Sequence, residues 1–212
     1  MNAETPKAEE LNLPQAFLLL ATNDKDGEPY VPAYVLRTTL AGAILAELDL
    51  LGAVAVRGKH VRATGAAPES DFQHQLDLIR EKSRPHTPKR WVSMLESRAE
   101  VRRVYEGMAS LGIVEHVGEK HLGLFRSTRY PEKDHAPEAA LLQKIQAALG
   151  GSLSDSRTTA LIALLQAAGL LDRLFPAADQ SRVRQLVKDH WPSRAVMDEL
   201  RMIRLAEAEA AT

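Results

Sequence analysis

The run "LAGAILAELDLLGAVAV", Leu40 to Val56, constrains this chain more than any other stretch: it demands burial, yet it holds two acids, Glu47 and Asp49. A membrane-spanning helix needs about 20 apolar residues without charge near its middle, and here both carboxylates stand in mid-run. Gly52 interrupts the run, and Ala53-Val54-Ala55-Val56 after it is small and β-branched, suited to a strand. The run predicts a core helix from Leu40, with Glu47 on its exposed face, passing into a short strand.

Capping signals mark the other helices. Asn12, Pro14 and Gln15 form a start signal, with Gln15 able to complete a capping box around "AFLLLA". "NDKDG" then stops that helix; Asp24 and Asp26 resemble a calcium loop without its closing Glu, and read as a plain turn. Helices are expected at 70–81, at 87–97 with Thr87 as cap and Pro88 behind it, at 98–111, and at 137–149 before Gly150-Gly151. "RTTALIALLQAAGLLDRLF", Arg157 to Phe175, is apolar on most faces and predicts a central helix, its 157–171 part the most buried of all, ended or bent at Gly169. Helices near 180–189 and from 193 to about 210 complete the set.

Two segments echo one another, "LLGAVAVRGKHVRATG" and "SLGIVEHVGEKHLGLF". Each reads as helix end, Leu-Gly, β-rich run, Gly-containing turn and second β-rich run, which is helix-then-hairpin twice. The second hairpin is expected over 113–125 with "HVGEKH" at its tip. The fold class is therefore mainly α: residues 1–10 disordered, then a single compact helical domain over 11–212 with a central apolar helix and one or two short β-hairpins.

Lys and Arg number 27 against 28 Asp and Glu, so no global field draws nucleic acid or membrane, and any anion site must be a local patch. With no Cys there is no disulfide, thiolate metal site or Cys nucleophile. The polar start "MNAETPKAEE" lacks an apolar leader, so the chain reads as cytoplasmic. No nucleophile elbow, phosphate loop or zinc-protease motif occurs, and no enzyme activity, cofactor or metal is expected. His116 and His121 read as loop histidines without a third ligand.

Positive charge is placed more tellingly. Arg98 and Arg102 stand one helical turn apart and share a face, with Arg103 beside them. Arg37 lies at the start of the apolar helix, where backbone N–H groups favour an anion. Arg126 and Arg129 follow the second hairpin, and "REKSRPHTPKR" is a basic connector. Together these permit a phosphate-binding patch.

The order and spacing of "LNLPQAFLLLATNDKDGE", "LAGAILAELDLLGAV", the tryptophan of "KRWVSMLE", "MASLGIVE…LGLFRSTRYP" and "RTTALIALLQAAGLLDRLF" resemble the Golgi phosphoprotein 3 family, in a bacterial member. The resemblance implies a mostly helical domain with a protruding hairpin. It also implies a lipid site that in eukaryotic members holds phosphatidylinositol 4-phosphate, in proteins that link Golgi membranes to glycosyltransferase tails. That headgroup site uses a Trp and an Arg near the start of the apolar helix and two basic residues three apart before the hairpin. Here those positions carry Pro32, Ala41, Arg98 and Val101, so one of the four is kept, with Arg102 adjacent to the last and Arg37 one turn before Ala41.

The expected function is a peripheral, non-enzymatic adaptor holding an anionic phospholipid headgroup on Arg98, Arg102 and Arg37, with weak preference for phosphatidylinositol 4-phosphate. Leu122, Leu124 and Phe125 are expected as hairpin contacts to a membrane, a protein partner or a second copy. One alternative is a winged-helix-like nucleic-acid-binding regulator, disfavoured by the balanced charge and the apolar recognition helices. The other is a protein-interaction scaffold without a lipid ligand.

Overall fold

Asn12 opens the first helix, as its capping signals require. Its side chain accepts the Gln15 N–H at 2.9 Å while Gln15 accepts the Asn12 N–H at 3.1 Å, and helix α1 (Leu13–Leu20) follows. The structure is a computed structural model describing residues 11–65, 68–121 and 125–211; the segment 1–10 expected to be disordered lies outside them. All eight residues of α1 are buried.

Helix α2 (Ala33–Leu50) contains the apolar run but begins seven residues before Leu40. Its start carries no side-chain cap, and the β-branched Val35, Thr38 and Thr39 hide it from a propensity reading. Burial overrides that preference, with Thr38 and Thr39 fully enclosed. Arg37 therefore stands inside the helix, one turn past its start, and not at the helix N-terminus. Among the described residues no helix is long and apolar enough to cross a membrane.

The Leu-Gly echo is physical. After α2, Gly52 has φ +68°, and the Ala53 N–H reaches back to Leu48 O at 2.8 Å. After α5 (Arg98–Ser110), Gly112 has φ +77°, and the Ile113 N–H reaches Met108 O at 3.0 Å. Both helices end in the same left-handed glycine turn, which satisfies their last carbonyls. The hairpins that follow differ. Strands β1 (Val54–Arg57) and β2 (His60–Ala63) pair antiparallel around Gly58-Lys59, with Gly58 at φ +63°. Strands β3 (Val117–His121) and β4 (Phe125–Arg129) pair from Val117↔Arg129 to His121↔Phe125. "HVGEKH" thus supplies a strand and is not the tip: Gly118 pairs with Thr128, and His121 with Phe125. Leu122 and Leu124 lie outside the described residues. Phe125 opens β4.

Helices α3 (Gln73–Glu81) and α4 (Pro88–Leu95) connect the first hairpin to α5, with Thr87 capping α4 through the Arg90 N–H. After β4 come α6 (Ala136–Leu149), α7 (Ser156–Ala167), the single turn α8 (Leu171–Leu174), α9 (Gln180–Val187) and α10 (Trp191–Ala210). Helix α7 packs against α1, α2, α6, α9 and α10, the central position its composition predicts. It is not the most buried helix. Eight of its twelve residues are buried, and α1, walled in on every side, exceeds it. Gly169, at φ +74°, separates α7 from α8.

Glu47 also departs from expectation. It is buried, 5% exposed, and takes both arms of Arg157 at 2.7 and 2.9 Å together with the Leu13 N–H at 2.7 Å. The surface reading of Glu47 assumed that a charge on an amphipathic helix faces water. Here the helix is enclosed by α1, α4, α7 and α10, and the charge is met by the half-buried Arg157.

Candidate functional site

Helix α5 starts immediately after α4, and the junction is clamped. Glu96, capping the end of α4, accepts the Arg37 Nε–H at 3.0 Å on one oxygen and the Thr38 hydroxyl at 3.0 Å on the other. Ser97 then caps α5 by accepting the Glu100 N–H at 3.3 Å. Arg98 is the first residue of α5, so its direction is set by that clamp.

One turn on, Arg102 projects beside Arg98, and both line a cavity of about 210 Å³. Val101 and Tyr105 continue the α5 wall, and Leu36 of α2 adds apolar surface. Gly27 and Pro29, from the turn after α1, close one side; Thr128 and Tyr130, from the return of the second hairpin, close the other. The floor is rigid. Tyr105 and Tyr130 stack at 4.4 Å with planes 2° apart, and the Tyr105 hydroxyl shares a 2.6 Å hydrogen bond with Thr22. Burial pushes the Tyr105 phenol far above its ordinary range, so it stays neutral. Tyr130 is raised too, by burial and then by Glu106, with Arg102 opposing.

The two guanidinium groups are uncommitted to differing degrees. Arg98 is exposed and has no ion pair or side-chain hydrogen bond among the described residues. Arg102 faces Glu106 across 3.8 Å, both largely exposed, a pairing worth little in water. Arg103 turns away, bonded to Glu100 and lying over the Phe72 ring at 5.2 Å. Arg37 does not join the cavity wall; its charge is held by Glu96. Of the three arginines singled out in the sequence, the fold brings Arg98 and Arg102 together and uses Arg37 to anchor the junction beneath them. Ala41, at one family ligand position, is buried, and Pro32 is the residue before α2.

A second cavity of about 190 Å³ lies between α1, α6 and α7, but its charges are already used. Asp155 caps α7 through the Thr158 N–H at 2.8 Å, and Arg157 is bound to Glu47. Sequence reasoning also missed one titratable cluster, in which Asp24, Glu132 and His135 come together at the base of the second hairpin. The Glu132/His135 spacing is visible in the sequence. Asp24, more than a hundred residues away, carries no local signal of it.

The family model for Golgi phosphoprotein 3 (GPP34) matches residues 13–203. The match covers the core helices, both hairpins and the cavity, and the chain belongs to that family.

Proposed function

We propose that this Golgi phosphoprotein 3 family member is a non-enzymatic peripheral binding protein, and that the Arg98/Arg102 cavity receives an anionic phospholipid headgroup. The observation that carries the reading is two guanidinium groups, one helical turn apart, on a cavity wall where the rest of the lining is aromatic, apolar or small. Forked guanidinium donors match phosphate oxygens, and each charge-assisted hydrogen bond contributes roughly 1.5–3 kcal/mol where water is partly excluded. Glu106 tempers the site by offering Arg102 an internal carboxylate.

The cavity opens beside the second hairpin, whose β4 strand supplies Thr128 to its wall. A headgroup held there sets that hairpin against the bilayer surface, with Leu122, Leu124 and Phe125 as its contact residues. Protein partners or a second copy would meet the same hairpin. Pro32 and Ala41 offer no side-chain donor at the family's other ligand positions, so the recognition is of phosphate charge more than of the inositol ring.

The test is co-sedimentation with vesicles of neutral lipid, with and without anionic lipid, over a salt series. Binding confined to anionic vesicles and weakening steeply above about 0.1 M salt supports the reading, since surface charge is screened within about 8–10 Å there. Equal binding to neutral vesicles, or none to anionic vesicles at low salt, would favour a scaffold without a lipid ligand.

A further inference from the structure

The turn after α1 contains a carboxylate that the turn does not use. Asn23 Oδ1 accepts the Lys25 N–H at 2.9 Å and the Asp26 N–H at 3.3 Å, while Asp26 Oδ1 accepts the Glu28 N–H at 2.9 Å. Asn23 and Asp26 therefore account for the turn. The Asp24 side chain takes no hydrogen bond among the described residues, and its backbone carbonyl accepts the Glu132 N–H at 2.9 Å, holding the two residues side by side.

Glu132 is the more telling member. Its side chain is 3% exposed, one oxygen meets the His135 ring, and the other is buried with no hydrogen-bond partner. A buried carboxylate oxygen without a hydrogen-bond partner is costly, and the Asp24 carboxylate adds negative charge nearby. Asp24 acts on Glu132 through space; Glu138 stands beside it, its own carboxyl raised to about 8 by burial and by the Glu132 and Asp24 charges, and Arg173, stacked on the nearby Tyr30 ring at 4.1 Å, belongs to the same edge. One ligand atom each from Asp24, Glu132 and His135 lies within 4.8 Å of the other two.

We propose that Asp24, Glu132 and His135 form a binding site for a divalent transition-metal ion of the zinc type. One imidazole with two carboxylates suits zinc better than magnesium or calcium, which take oxygen ligands alone. Bonds of about 2.1 Å place tetrahedral ligands roughly 3.4 Å apart, inside the observed spread, so modest side-chain closure is sufficient. The Glu132–His135 contact opens to admit the ion. The N-terminus of α6 opposes a cation there, but with only about half a charge against the two carboxylates. The ion supplies the partner that the buried Glu132 oxygen lacks, and it ties the turn after α1 to the return of the hairpin and to α6. The site is independent of the Arg98/Arg102 reading.

The full chain without a tag, stripped with a chelator and titrated with zinc in a calorimeter, tests this. The expected result is one zinc per chain. At zinc about 100-fold above its Kd, the melting temperature should rise by roughly 5–10 °C. Manganese should bind more weakly and magnesium have little effect. Asp24→Asn and His135→Ala should each lower zinc affinity at least about tenfold, as loss of a direct ligand demands. His135 is exposed and its side chain does not cap α6, so His135→Ala should keep the native circular dichroism spectrum. His116→Ala, at an exposed histidine outside the cluster, should leave zinc binding unchanged. Absence of stoichiometric zinc binding would overturn the proposal, as would binding indifferent to both ligand substitutions. So would a Glu132→Gln variant that is more stable than the parent while the parent ignores zinc, the sign of a proton shared between Glu132 and Glu138.

Discussion

The buried Glu47 and the half-exposed Arg157, 110 residues apart, form a two-armed ion pair at 2.7 and 2.9 Å. The same Glu47 oxygen accepts the N–H of Leu13 at 2.7 Å, and Arg157 also donates to Leu11 O at 3.3 Å. One carboxylate thus joins the start of α1, the body of α2 and the start of α7. Replacing Arg157 with Met should destabilise the protein by about 3–5 kcal/mol, the range for stranding a buried charge. The double change Glu47→Leu/Arg157→Met should recover part of that loss, but not all, because the Leu13 N–H then has no acceptor. Chemical denaturation of the four proteins of that cycle measures it.

Gly42 should tolerate no side chain. It lies where α2 meets α10, and a Cβ there would stand 2.1 Å from Val196 Cγ2. Alanine ordinarily gains about 1 kcal/mol over glycine within a helix, but overpacking costs about 1–3 kcal/mol. Gly42→Ala should lower the midpoint of denaturation, and the added change Val196→Ala should restore part of the packing.

Acid should weaken the fold through His190. Its Nδ1 accepts the Ser193 N–H at 3.2 Å to cap α10, which requires an unprotonated nitrogen. Burial, helped by Arg194, pulls its pKa down to about 4. Since the unfolded chain binds this proton near pH 6.5 and the folded chain does not, stability should fall as pH drops from about 6.5 towards 4. The loss should be on the order of 2 kcal/mol. His190→Asn keeps a capping oxygen without the titration, so the difference in stability between parent and variant should narrow as pH falls across that window.

Much of this fold is legible because its signals are local. Asn12 with Gln15, Thr87 with Pro88, and the glycines after Leu51 and Leu111 act within one helical turn, and each marks its boundary in the sequence as it does in space. The start of α2 is not legible: Pro32 contributes no side-chain cap, and Thr38 and Thr39 are helical only because the core surrounds them. Charges are the least legible. Glu47 and Arg37 look like surface residues until Arg157 and Glu96 are seen beside them, and neither partner lies within 58 residues. Arg98 and Arg102 could be paired from the sequence because one helical turn links them; the wall opposite, from Gly27 to Tyr130, could not.

Removing Glu106 should strengthen anion binding. It is the carboxylate within 4 Å of Arg102, and it raises the Tyr130 phenol on the same wall. Glu106→Gln should tighten binding to anionic vesicles by a few-fold at low salt, and the gain should vanish as salt rises, since both groups are exposed. Sedimentation of lipid-bound protein reports it.

Binding of Arg98→Ala, Arg102→Ala and the double variant to vesicles containing anionic lipid, at low salt and beside the parent protein, decides whether these two side chains hold the headgroup. Each single change should cost roughly 1–3 kcal/mol of binding, about 5-fold to 150-fold, while melting temperatures stay within a degree or two of the parent because both side chains are exposed. The double variant should be close to inert, and vesicles carrying phosphatidylinositol 4-phosphate should bind the parent little better than others of equal charge. Binding that survives in the double variant would show that the headgroup is held elsewhere or not at all.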